Sequence, residues 1–188
     1  MKAQQIGKAF AWFRILTFPI MILIFFSFSR LISAIIYLIM FSTDALDGFF
    51  ARTIGGNDGR RRRELDSYGD VLYLIAGLIG FAYLEPVFFN RHLWLIIPIL
   101  VLYASQLTIA MVKWRKPTSY HTLAARVAAF VQVGFFSYTF FLGVSEPLFW
   151  ITVFFTLLDI ADELSLTIIL KNYRTGITSV LLVNRYKN

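Results

Sequence analysis

The stretch "ILTFPIMILIFFSF", Ile15 to Phe28, decides the fold class. It carries no charge across 14 residues, and a second run of the same kind, "LFWITVFFTLL", follows at Leu148 to Leu158. Of the 188 residues, 58% are hydrophobic and 18% aromatic, while only 15% are charged. An ordinary soluble domain carries about 45–50% apolar and roughly 25% charged residues. The excess, gathered in long runs, is the composition of a multi-pass membrane protein. Open sheet edges are not tolerated in lipid, so the expected architecture is all-α: one bundle over residues 1–188 with no separate soluble domain.

A spanning helix needs roughly 20 apolar residues, and six segments meet that length. They lie near 10–29, 31–51, 67–86, 92–112, 123–143 and 147–169. Among the connections, only Thr53 to Leu65 reads as long and polar. The start, with Lys2 and Lys8, reads as leading into a retained first span rather than a cleaved signal, because no small-residue cleavage site follows.

One set of loops holds Lys2, Lys8, Arg52, Arg60 to Arg63, Lys113, Arg115, Lys116, Lys171, Arg174, Arg185 and Lys187; the other holds Arg30 and Arg91. The bias predicts a cell-membrane protein with both termini in the cytoplasm. The net charge of +7 fits cytoplasmic loops and anionic lipid headgroups rather than nucleic acid. The chain has no cysteine, which excludes disulfides, thiolate metal sites and cysteine nucleophiles.

This topology brings four aspartates to one membrane face. "STDALDGFFAR", Ser42 to Arg52, ends the second span with Asp44 and Asp47, and "ELDSYGDVLYL" opens the third with Asp66 and Asp70. Three- and four-residue spacings put each pair on one helical face. Gly48 and Ala51 extend the first face without bulk. Four neighbouring carboxylates repel one another, and a divalent cation relieves that repulsion; all-oxygen ligands suit Mg²⁺, Mn²⁺ or Ca²⁺. Arg52 and the basic segment beside it attract phosphate. Metal, phosphate and a spare carboxylate are the parts of a phosphoryl-transfer site. The plainer reading is a set of interfacial charges paired with the arginine run.

The pattern Asp44-x-x-Asp47-Gly48-x-x-Ala51-Arg52, followed by Asp66-x-x-x-Asp70, resembles the signature of the CDP-alcohol phosphatidyltransferases, six-span membrane enzymes of phospholipid synthesis. "RILTFP", Arg14 to Pro19, is similar to their first-span motif. The resemblance implies that Asp44, Asp47, Asp66 and Asp70 hold one or two divalent ions, Mg²⁺ or Mn²⁺, with Asp70 also the base that activates the acceptor hydroxyl. It implies that Gly48, Ala51 and Arg52 line the CDP site. It further implies a CDP-linked lipid donor such as CDP-diacylglycerol, a small alcohol acceptor, release of CMP, and a homodimer. Glycerol phosphate, inositol phosphate, inositol and serine all stay open as acceptors. The chain departs from the pattern in two ways: Arg62 stands where the family has a glycine, four residues before Asp66, and the linker from Arg52 is one residue longer.

Arg126 lies about one turn inside the fifth span and reads either as an anion contact for a substrate phosphate or as an ion-pair partner of Asp162 or Glu163. Asp159, Asp162 and Glu163 form a second acidic group, read as pairing with Arg126 or Arg14. That group also sustains an alternative function, a small cation- or proton-coupled transporter. Arg62 sustains another, a catalytically weakened relative. His92 and His121 are isolated, and Trp12, Trp94 and Trp114 read as interfacial anchors.

Overall fold

The computed structural model describes residues 16–27, 29–40, 59–115, 120, 122–170, 172–173, 177 and 179–181; at 59–68 and 70 it describes the backbone alone. Among them all regular structure is helical. In chain order the helices are α1 (Leu16–Ser27), α2 (Arg30–Met40), α3 (Gly59–Leu84), α4 (Pro86–Arg91), α5 (Leu93–Trp114), α6 (Leu123–Leu142) and α7 (Glu146–Ile169).

The punctuation follows local chemistry. Pro86 begins α4, where its missing N–H costs nothing, and Glu85 between α3 and α4 accepts from Phe89 N at 2.9 Å. Arg115, at φ 55°, closes α5 with its N–H on Met111 O. Gly143, at φ +97°, ends α6 in the left-handed conformation that glycine adopts without strain. Pro147 then sits in the first turn of α7, behind Ser145 at the N-cap.

The last three expected spans agree with α5, α6 and α7 to within two residues at each end. Two expectations change. Gly59 to Leu65 is the first part of α3 rather than loop, because arginine is a good helix former and nothing in "GRRRREL" breaks a helix. The connection near residues 86–92 contains α4, too short to be legible as a span. The expected ends at 10–15 and 41–51 lie outside the described residues.

Among the described residues two helices are long and apolar enough to cross a membrane: α5, with mean hydropathy 2.2 over its best window, and α6, with 1.4. Much of their surface is apolar and open, with Val112 79% and Phe130 72% exposed. An apolar exterior on this scale is what a lipid-facing helix presents. Spanning length is also met by α7, at 24 residues, but it carries Asp159, Asp162 and Glu163.

The chain divides into two compact units. The first comprises Met1–Phe89 with Phe136–Val144, the second Asn90–Phe135 with Ser145–Asn188. The first is built on aromatic rings. Tyr37 lies 4.4 Å from Tyr73 and 5.0 Å from Phe140 between centroids, and Phe25 meets Phe140 edge-on at 5.1 Å. Tyr37, Phe25 and Phe140 are all fully buried. At one end of this unit Arg30 pairs with Glu85. Its guanidinium also donates to Phe140 O at 3.1 Å and Thr139 O at 2.5 Å, carbonyls from the last turn of α6. A planar fork matches this arrangement of acceptors, and its charge complements the carbonyl end of a helix. Arg30→Ala strands the Glu85 carboxylate and removes the guanidinium from the Phe140 carbonyl, while Thr139 O keeps the Gly143 N–H at 3.0 Å, for a cost of about 2–3 kcal/mol. Thermal unfolding in detergent should show that loss, and Arg30→Lys should recover less than half of it.

In the second unit the core includes Ile96, Ala110, Phe149, Val153 and Ile160. Between α6 and α7, Gln132 Nε2 donates to Thr156 Oγ1 at 2.9 Å. Lys113 Nζ donates to Thr167 O at 2.7 Å and Ile168 O at 3.1 Å, placing a cation on the carbonyl end of α7.

Candidate active site

Asp66 and Asp70 are positions of α3, where a polar first half gives way to the apolar segment Val71–Leu84. Residues 66, 70, 73, 77, 80 and 84 recur at alternating intervals of four and three, which is one stripe of a helix. Further along, this stripe is interior. Tyr73 Oη donates to Tyr37 O at 3.0 Å. A Cβ on Gly77 would lie 2.7 Å from the Phe136 ring and 2.8 Å from Tyr37 Oη. On Gly80 it would lie 2.5 Å from Phe25 and 2.9 Å from Phe140. The two aspartate positions therefore head a stripe that runs directly into the packed core of the first unit.

Arg62 and Gly59 belong to the same row, four and seven residues before Asp66, and both are within α3. The glycine position of the family pattern thus falls on regular helix in this chain. Asp44, Asp47, Gly48, Ala51 and Arg52 lie outside the described residues, as do the side chains of Asp66 and Asp70. Among the described residues no group of three metal-ligating side chains comes together.

Arg126 is placed in the first turn of α6, with its backbone N–H on Thr122 O at 3.2 Å and an exposed side chain. Thr122 caps this helix, its Oγ1 accepting from Ala125 N at 3.0 Å. Among the described residues Arg126 forms no ion pair with Asp162 or Glu163. The partners of those acids lie elsewhere. Gln106 Nε2 donates to Glu163 Oε2 at 2.5 Å, and Asp162 Oδ1 accepts from Val180 N at 2.9 Å and Ser179 Oγ at 3.3 Å. Asp159 Oδ1 and Asp162 Oδ2 are buried without a hydrogen-bond partner among the described residues. Gln106 is a further polar contact of these acids, signalled in the sequence only by a lone amide in the apolar run of α5. Val180 carries no such signal, because its donor is backbone and leaves no trace in composition.

Trp114 does more than anchor an interface. Its Nε1 donates to Tyr120 Oη at 3.1 Å, and Tyr120 Oη lies 3.2 Å from Thr167 Oγ1. Thr167 spends its own proton on Glu163 O at 2.8 Å, so Tyr120 is the donor to Thr167. The hydroxyls form one directed chain, each strengthening the next. Burial pushes the Tyr120 phenol up, so it stays protonated in that role. Trp94, by contrast, is 66% exposed, as an interfacial anchor would be. His92 is buried, its ring 4.9 Å from that of Phe149.

The family model for CDP-alcohol phosphatidyltransferase matches residues 5–158. That span takes in both aspartate blocks, α1 to α6 and the first half of α7. Comparison with curated proteins and with solved structures gives no match.

Proposed function

The chain belongs to the CDP-alcohol phosphatidyltransferase family, and on that premise we propose that it transfers a phosphatidyl group from CDP-diacylglycerol to the hydroxyl of a small alcohol, releasing CMP. Membership itself carries the coarser statement: phosphatidyl-group transfer in phospholipid synthesis. The observation that supports the finer one is the double motif lying within the matched span, with its second half on the α3 stripe.

In this reading the acceptor oxygen attacks the phosphorus that bears the diacylglycerol. The anhydride bond to CMP breaks, and CMP leaves with the bonding electrons. The hydroxyl proton passes to the Asp70 carboxylate, which acts as general base. Asp44, Asp47, Asp66 and Asp70 hold one or two divalent ions, Mg²⁺ or Mn²⁺. An all-carboxylate donor set suits such hard cations, and two of its members sit four apart on one helix stripe. When bound, the metal neutralises charge on the pyrophosphate. Gly48 and Ala51 leave room for the nucleotide, and Arg52 meets its phosphate. Arg126, exposed in the first turn of α6, contacts a second phosphate, on either the donor pyrophosphate or the acceptor.

Membrane dimensions favour a site at the cytoplasmic surface of a six-span, multi-pass protein with both termini inside. The apolar part of α3, Val71–Leu84, rises only about 21 Å, against a hydrocarbon core of roughly 30 Å. The shortfall draws positions 66 and 70 down to the lipid boundary, where a lipid-borne phosphate is met. A transporter instead gathers ionisable groups near the midplane, and family membership weighs against it. Homodimerisation accompanies the proposal as a family expectation.

The test is CMP release from CDP-diacylglycerol by the purified protein, with serine, inositol, inositol phosphate and glycerol phosphate as acceptors. One acceptor should support release with Mg²⁺ or Mn²⁺, and chelation should abolish it reversibly. No release under any combination would remove the assignment.

A further inference from the structure

The family match ends at residue 158, within α7, and Asp162 lies just beyond it. Asp162, on α7, is only 7% exposed. Burying a carboxylate in apolar surroundings is costly unless donors reach it. Two donors come from the described carboxyl-terminal residues Ile177 and Ser179 to Leu181, here called the strap, namely Val180 N at 2.9 Å and Ser179 Oγ at 3.3 Å. Ser179 Oγ in turn accepts from Leu181 N at 3.3 Å.

Fastened in this way, the strap places Ile177, 1% exposed, in a cluster with Tyr120, Leu166 and Leu170. Val180 and Trp114 pack against the same cluster. Tyr120 belongs to the connection between α5 and α6. Two residues later Thr122, fully buried, caps the helix whose first turn carries Arg126. Contacts inside the second unit thus link the Asp162 carboxylate, through Val180, to the cluster around Tyr120, which lies two residues before Thr122 at the start of α6.

We propose that Asp162 is a positioning residue: by fastening the strap against Tyr120 it fixes the start of α6, and so holds Arg126 where it meets a substrate phosphate. The second half of this statement rests on the reading of Arg126 given under the proposed function; the fastening does not.

The chain has no cysteine, so a single Thr122→Cys substitution in the full-length protein gives a clean label site. With Asp162 intact, the introduced thiol resists a water-soluble maleimide. Adding Asp162→Ala raises its labelling rate about tenfold or more, while Asp162→Asn, which keeps a carbonyl oxygen for Val180 N–H, leaves it protected. In the cysteine-free background, Asp162→Ala raises a KM about tenfold with kcat within about twofold, and Asp162→Asn restores it. The affected KM is that of CDP-diacylglycerol if Arg126 meets the donor, and that of glycerol phosphate or inositol phosphate if it meets the acceptor. Arg126→Ala reproduces the effect, and the double variant is no worse than Arg126→Ala alone.

Labelling that ignores Asp162→Ala overturns the fastening. KM effects of the two alanine variants that multiply overturn the positioning. A merely structural Asp162 would lower the yield of folded protein and leave KM alone. If Asp162→Ala does not fold, Val180→Pro removes the donor and leaves the carboxylate, and the same readings apply. If the unmodified protein releases no CMP with any acceptor, the function reading and the positioning fall together, while the labelling still decides the fastening.

Discussion

Asp70→Asn should reduce CMP release by at least about a thousandfold, with the folded yield and detergent behaviour of the protein unchanged. General-base catalysis alone contributes about 10²–10⁴ in rate, and asparagine removes it while keeping the volume of the side chain. The same substitution takes one anionic ligand from the metal, which adds to the loss. The two contributions separate by titration. If the base role dominates, raising Mg²⁺ or Mn²⁺ does not restore the rate. If ligation dominates, high metal brings part of it back. Retention of more than about a tenth of the activity at ordinary metal concentration would take Asp70 out of the base role.

The second large effect is on folding. Gly80→Leu should prevent accumulation of monodisperse folded protein, and Gly80→Ala should cost up to about 2 kcal/mol. Two terms oppose each other in the alanine variant. Glycine to alanine inside a helix gains about 1 kcal/mol in propensity. Against it, the new methyl falls 2.5 Å from Phe25 and 2.9 Å from Phe140, well inside van der Waals contact. Those rings are fully buried and already braced on each other, so neither can swing aside cheaply. Overpacking of this kind costs about 1–3 kcal/mol, and it wins. Gly134 on α6 supplies the control, because a Cβ there meets nothing within 4 Å. Gly134→Ala should therefore be neutral or stabilising by up to about 1 kcal/mol. Equal effects at Gly80 and Gly134 in thermal or denaturant unfolding would refute the packing argument.

Particular residues explain what the sequence could and could not convey. The ends of α6 and α7 were legible because Gly143, Ser145 and Pro147 punctuate the chain with well-known local chemistry. The start of α3 was not, since "GRRRREL" looks like a polar loop by charge while being a good helix by propensity. The spacing of Asp66 and Asp70 was legible, and the observed helix keeps both on one stripe. That this stripe continues through Tyr73, Gly77 and Gly80 into an aromatic core depends on three other helices. The acids of α7 were visible as charges in an apolar run, but their partners are an amide on α5 and a backbone N–H of the strap. Contacts of that sort are tertiary, and no local pattern announces them.

The glycine face of α3 fixes where the two aspartate positions lie relative to the core of the first unit. Rings from α1, α2 and α6 lock into the gaps at Gly77 and Gly80, so α3 cannot slide along its axis without driving backbone into aromatic carbon. Positions 66 and 70 are rigidly indexed to those gaps by the helix rise, about 1.5 Å per residue. The fold therefore carries its own depth gauge. The height of those two positions relative to the core of the first unit stays constant whatever surrounds it.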